Sequence, residues 1–223
     1  MTVQINTFPI KTFSHRFFPA KNKSPNKLMP EKLMIVMHGL GDSAEGYSWM
    51  PRELGIDDMN YLLLDAPDDY YGGFSWYDLT GGDQGIGIKR SRNLLLELLT
   101  ELESLGWATE QIFLLGFSQG CVMCLDLGLR HNKKLAGICG ISGYLFKEGE
   151  DHEFMTEINR QAFNQNWLIT HGRFDERVPY LITENQMKEL QSFGLPIRFE
   201  IFDKTHTIDS AKELPKIREW ILG

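Results

Sequence analysis

Basic charge, cysteine and long apolar runs are all in short supply in this 223-residue chain, and each shortage closes off a class of function. Lys and Arg total 23 against 30 Asp and Glu, for a net charge of −7. Such a balance repels phosphate backbones, so no nucleic-acid partner is expected. Cys121, Cys124 and Cys139 are the only cysteines. Three thiols form no disulfide framework and fit a reducing compartment. No apolar run approaches the roughly 18 residues a membrane-spanning helix needs. The opening stretch Met1 to Ile10 is too polar for a signal-peptide core and is interrupted by Pro9, so a cytoplasmic protein is expected.

What is present is an alternation. Short apolar runs at Leu33–His38, Tyr61–Leu64, Ile112–Phe117, Leu135–Ile141, Trp167–Thr170 and Ile197–Phe202 read as buried strands. An N-terminal strand is expected near Ser14 to Phe18, followed by a Lys/Asn/Pro loop from Pro19 to Pro30. Between the runs lie segments of helical period, one with Leu94, Leu95, Leu98, Leu102 and Leu105, another with Leu214, Ile217 and Ile221. Gln119–Arg130 is apolar almost all round, as a helix at the centre of a domain should be. Alternation of this kind predicts an α/β fold with a mostly parallel sheet and helices on both faces. One domain is expected over residues 1–223. Residues 68–87, rich in Gly and aromatics, and 144–166, without a clean period, are expected as loops over the C-terminal edge of the sheet.

Gly116-Phe117-Ser118-Gln119-Gly120 matches G-x-S-x-G between an expected strand and an expected helix. A sharp turn there exposes the serine Oγ at a helix N-terminus, and glycine at the flanks avoids clashes. The alternative is an ordinary strand–helix turn with a serine cap. The strand and helix around it favour a nucleophile, with the amide of Gln119 as an oxyanion donor.

A serine nucleophile needs a base, and the base an orienting acid, in the chain order Ser, Asp or Glu, His. Order removes His15 and His38. His131 ends the nucleophile's helix, where a charge facing water or the helix dipole is the plain reading. His152 sits in a charged run, and His171 ends a strand and reads as support for the acid loop. His206, between the last strand and the last helix, is the expected base. Asp175, in the loop after Trp167–Thr170, is preferred as acid over Glu176, Asp203 and Asp209. The second oxyanion donor is expected in His38-Gly39-Leu40-Gly41-Asp42, at the amide of Leu40.

In their order along the chain, these pieces resemble the acyl-protein thioesterase/carboxylesterase (phospholipase/carboxylesterase) family of α/β-hydrolases. Ser75-Trp76-Tyr77-Asp78, His171-Gly172 and Val178-Pro179 add to the match. The resemblance implies Ser118, Asp175 and His206 as triad and the amides of Leu40 and Gln119 as oxyanion hole. It also implies that the loop around Trp76 lines the acyl pocket, that no cofactor is needed, and that the substrates are acylated proteins, lysophospholipids or small acyl esters and thioesters. Phe74 and Tyr144 are expected beside Trp76 at the substrate, and the chain is expected as a monomer or homodimer. Thr205 stands where the family usually has glycine before its histidine, and Gly81 to Gly85 is unusually glycine-rich.

Two rival readings remain. Gly39-x-Gly41-x-x-Ala44, with Asp65 near the ~20-residue offset, fits a dinucleotide fingerprint and an NAD-dependent oxidoreductase. Gly46 and Pro51 argue against the crossover helix it needs. A catalytically silent binding module of the same fold is the other, and nothing in the triad residues favours it. Cys121-x-x-Cys124 has no second pair with which to hold a metal, so no metal site is expected and packing is preferred.

Overall fold

In a computed structural model describing residues 8–22, 31–79, 84–147 and 157–223, the apolar runs form one seven-stranded sheet. Its strands in chain order are β1 (His15–Phe18), β2 (Lys32–Met37), β3 (Met59–Leu64), β6 (Ile112–Phe117), β7 (Gly137–Ile141), β8 (Trp167–Gly172) and β9 (Ile197–Phe202). Their spatial order is β1-β3-β2-β6-β7-β8-β9. Only β1 runs antiparallel to its neighbour. The fold is that of an α/β-hydrolase.

Strands buried on both faces carry continuous apolar sequence, and β2 shows how the faces divide. Leu33, Ile35 and Met37 point into one core, while Met34 and Val36 point into the other. The first core is covered by α2 (Gln84–Ser104), α3 (Gln119–Arg130) and α4 (Tyr180–Ser192), the second by α1 (Met50–Leu54) and α5 (Glu213–Leu222). Eleven of the twelve residues of α3, Gln119 to Leu129, are buried, which explains its apolar circumference. At the edges, β1 and β9 are only partly buried.

The expected loop 68–87 is more structured than its composition suggests. It holds a hairpin, β4 (Asp68–Tyr70) and β5 (Gly73–Ser75), and its last residues already belong to α2. Of the expected loop 144–166, residues 148–156 and with them His152 lie outside the described residues, as do 80–83 of the glycine-rich run. Among the described residues no helix is long and apolar enough to cross a membrane.

Candidate active site

The turn from β6 into α3 puts Ser118 at φ 54°, ψ −115°, a conformation that a β-carbon strongly disfavours. Tight packing leaves no room for side chains beside it. A β-carbon on Gly116 would sit 2.1 Å from the carbonyl oxygen of Gly120, and one on Gly120 2.1 Å from that of Met37. The glycines of the pentapeptide are thus required by backbone proximity. The Ser118 amide is anchored to the Ile141 carbonyl at 2.9 Å.

Ser118, Asp175 and His206 meet at the C-terminal edge of the sheet. Ser118 Oγ lies 2.9 Å from His206 Nε2, and His206 Nδ1 lies 2.7 Å from Asp175 Oδ2. A carboxylate only accepts, so Nδ1–H donates to Asp175 and the Nε2 lone pair faces the serine hydroxyl. The other oxygen of Asp175 accepts the amides of Arg177 (3.0 Å) and Val178 (2.9 Å), which fixes the carboxylate plane. His171 is fully buried beneath this loop. Its Nε2–H donates to the Val178 carbonyl at 2.8 Å, 3.4 Å from Asp175 Oδ2, and burial holds its pKa below the usual value. The structure places it as support for the acid loop.

The loop after β2 is braced from both sides. His38 Nε2 accepts the Ala66 amide at 3.0 Å while Nδ1–H donates to the Gly39 carbonyl at 2.6 Å. Gly41 N–H donates to the Phe74 carbonyl and Phe74 N–H to that of Asp42, both at 2.9 Å, so the hairpin and the loop form a small bridge. Among the described residues the Leu40 amide is left without a backbone acceptor, and the first amide of α3, that of Gln119, has no intrahelical acceptor. Two free N–H groups flanking a nucleophile can stabilise an oxyanion.

The side chain of Gln119 is a further part of the site, one that motif reasoning missed because it attended only to the backbone amide. Buried in the floor, its Oε1 accepts the Trp76 amide at 2.9 Å and its Nε2 donates to the Tyr77 carbonyl at 2.8 Å. It staples residues 75–77 to the elbow.

A cavity of about 530 Å³ opens over Ser118, lined by Leu40, Tyr77, Leu79, Phe117, Tyr144 and Val178, with Asp42 and Arg177 as its charged members. Tyr144, expected at the substrate, lines this cavity with its hydroxyl 3.1 Å from that of Tyr77. Trp76 and Phe74 do not line this cavity. Trp76 is wholly buried, its indole N–H donating to the His38 carbonyl at 2.9 Å, and it packs beneath the loop after β2. Phe74 is engaged by its backbone in the bridge to Gly41 and Asp42. The neighbouring Tyr77 takes the wall position. Thr205 makes its turn without a left-handed conformation.

His131 also departs from expectation. Instead of facing water it is buried, with neither ring nitrogen hydrogen-bonded among the described residues, and burial lowers its pKa. The C-x-x-C pair is core packing. Cys121 and Cys124 are buried free thiols, and burial pushes Cys121 up to about 12. Among the described residues no group of His, Cys, Asp and Glu is arranged to hold a metal. The dinucleotide reading fails on the helix it requires. Residues 44–49 are turns, and α1 is five residues long. Asp65 binds the Ala44 amide (2.7 Å) and the Ser14 hydroxyl (2.8 Å), so its carboxylate ties loops together.

Comparison with known proteins bears on the family and the fold. Acyl-protein thioesterase 1 of Schizosaccharomyces pombe is 32% identical over 170 residues, 70% of this chain and 74% of that protein. That of Gibberella zeae is 32% identical over 192 residues, covering 76% and 80%. Among solved structures, the fold superposes on esterase PE8 with a TM-score of 0.76 at 24% identity, covering 94% of this chain and 98% of the other. Zea mays acyl-protein thioesterase 2 gives 0.75 at 19% identity, with the same coverage. A sequence model of the Phospholipase/Carboxylesterase family matches residues 23–222, and the chain belongs to that family of α/β-hydrolases.

Proposed function

We propose that this chain hydrolyses acyl esters and thioesters through an acyl-enzyme on Ser118. The observation that carries the reading is the unbroken run Oγ–Nε2, Nδ1–Oδ2 at 2.9 and 2.7 Å, placed on a strained strand–helix turn. As Oγ attacks the acyl carbonyl, His206 Nε2 takes the hydroxyl proton and Asp175 balances the imidazolium. The oxyanion is held by the amides of Leu40 and Gln119, where loss of one donor typically costs about 100- to 1,000-fold in rate. His206 then returns the proton to the departing alcohol or thiol. Water, deprotonated by the same nitrogen, releases the acid.

The cavity supports an acyl chain laid against Tyr77, Leu79, Tyr144 and Val178. Its owners in the cell would be acylated proteins, lysophospholipids or small acyl esters, met in the cytoplasm, where three free buried thiols are at home. The catalyst acts as one α/β-hydrolase domain, monomeric or homodimeric. The test is fluorophosphonate labelling alongside matched esters and thioesters of graded chain length. Parent protein labels and turns over, and Ser118→Ala does neither. Absence of labelling in the parent removes the proposal.

A further inference from the structure

The ten residues between β9 and α5 carry His206, yet few backbone bonds hold them. Lys204 N–H donates to the Phe202 carbonyl (2.9 Å), Thr207 N–H to that of Thr205 (2.8 Å), and Phe174 N–H to that of Lys204 (3.1 Å). Asp209 anchors the far end, its carbonyl accepting the Glu213 and Leu214 amides (3.0 and 3.1 Å) and its carboxylate those of Ala211 and Lys212 (2.8 and 3.0 Å). Across the middle the turn is held by an ammonium group turned inward. The Lys204 side chain is only 4% exposed, and its partner Glu213 is fully buried. An ammonium has three N–H donors, and here each has an acceptor. These are the Thr207 carbonyl at 2.7 Å, the Ser142 hydroxyl at 3.2 Å and the Glu213 carboxylate, with Oε2 at 2.8 Å.

Each acceptor secures a different side of the histidine. Thr207 follows His206, so the bond to its carbonyl closes a four-residue ring across the base. Ser142 follows Ile141, whose carbonyl anchors the Ser118 amide, so the same ammonium refers the histidine turn to the strand end that holds the nucleophile. Glu213 Oε2 also accepts the Asp209 amide at 3.0 Å, which ties down the descending half of the turn. Beneath it the acid loop comes so close that a β-carbon on Gly172 would lie 2.5 Å from the Lys204 carbonyl oxygen. We propose that Lys204, held by Glu213, is a positioning residue that sets the His206 turn in register with Ser118, an inference that rests on reading His206 as the base.

Burying a lysine is unfavourable. Desolvation lowers its pKa, and Glu213 and Asp175 oppose that shift. Buried ion pairs seldom add net stability over apolar side chains of similar volume, and fixing one arrangement is a use that offsets the loss. A purely structural pair and a positioning pair therefore respond differently to neutral replacement.

The experiment compares the parent with Lys204→Met/Glu213→Gln, which removes both charges, approximates both volumes and leaves an amide oxygen for the Asp209 N–H. With a matched ester, kcat falls about 100-fold, the effect of a misplacement of roughly 1 Å. KM stays within about twofold, because the acyl wall is untouched. Lys204→Gln, which leaves a shorter neutral donor in place, gives a second, independently folded case with the same split. A kcat at the parent's value in either folded variant overturns the proposal, as does a loss seen only in KM. If the parent itself fails to label with fluorophosphonate, the reading of Ser118 and His206 falls first, and the two failures are told apart.

Discussion

Replacing Gln119 by Met isolates what its side chain does from what its amide does. The backbone N–H proposed as an oxyanion donor is retained, and the side-chain volume is nearly conserved. Three consequences can be worked from the geometry. The Trp76 amide loses its acceptor at 2.9 Å and becomes a buried, unsatisfied donor, at a cost of about 1–3 kcal/mol. The Tyr77 carbonyl loses the donor at 2.8 Å but keeps the Ser75 hydroxyl, also at 2.8 Å, so only about 0.5–1.5 kcal/mol is lost there. Ser75 has a single proton, already directed at Tyr77, so its 3.2 Å approach to Gln119 adds little. The sum centres near 3 kcal/mol, which for a chain of this size lowers the unfolding midpoint by about 6–12 °C. Differential scanning calorimetry measures it. Because Tyr77 lines the cavity, KM for a long acyl ester should rise, while fluorophosphonate labelling at saturation persists at 25 °C. A midpoint within 1 °C of the parent would refute the staple. Loss of labelling in protein that remains folded would refute the separation of side chain from amide.

Three other outcomes follow from the same geometry. Asp175→Asn presents an amide to His206 Nδ1 and favours the wrong imidazole tautomer, so kcat should drop by about 10⁴-fold with little change in fold, read from steady-state kinetics and near-ultraviolet dichroism. His38, His131 and His171 are buried, and burial holds their pKa values below that of a free imidazole, about 6.5. The unfolded chain therefore binds more protons in that window, so stability is present above about pH 6.5 and is lost as pH falls below it. Urea unfolding at pH 7.5 and 5.5 measures the slope, and His131→Leu, which removes an unpartnered buried imidazole, should raise the unfolding free energy by about 1 kcal/mol and flatten the slope. Arg177 lines the cavity, and no acidic partner for its guanidinium is found among the described residues. Arg177→Leu should cut kcat/KM for an ester with a terminal carboxylate about threefold to fivefold relative to its neutral counterpart, the modest size reflecting an exposed charge.

The elbow was legible because its signals are local. A strand period, two glycines that the backbone needs and an apolar helix all fall within about twenty consecutive residues. The relation of Asp175 to His206 was legible through chain order, since a parallel sheet brings the ends of successive strands to one edge. What escaped depends on the direction a side chain takes where no period governs it. Trp76 and Tyr77 are adjacent, large, aromatic and both buried, and sequence alone does not say which one borders the cavity. The indole N–H to the His38 carbonyl decides that, a contact 38 residues away in sequence. Lys204 was missed for a related reason. A lysine beside Asp203 and Thr205 reads as solvated surface, and only Glu213 and Ser142, supplied by other elements, turn it inward. The hairpin β4–β5 was hidden by its brevity, three residues per strand.

These contacts also explain which parts of the site can change independently. Trp76 bonds through its indole to the strand end that leads into the Leu40 loop, and through its amide to Gln119. Phe74 bonds by its backbone to Gly41 and Asp42. Residues 74–76 therefore hold the Leu40 loop and the Ser118 elbow in one hydrogen-bonded set, and substitutions there should disturb oxyanion binding whatever the substrate. Tyr77, Leu79 and Tyr144 present their side chains to the cavity, and of these only Tyr77 and Tyr144 are linked, hydroxyl to hydroxyl at 3.1 Å. Leu79 is half exposed and belongs to no such set. Chain-length preference should accordingly move first with Leu79, then with the tyrosine pair changed together. A double-mutant cycle between Tyr77→Phe and Tyr144→Phe should show coupling of about 0.5 kcal/mol or more, since removing either hydroxyl already breaks the bond. Additive effects would mean that the two rings shape the cavity separately.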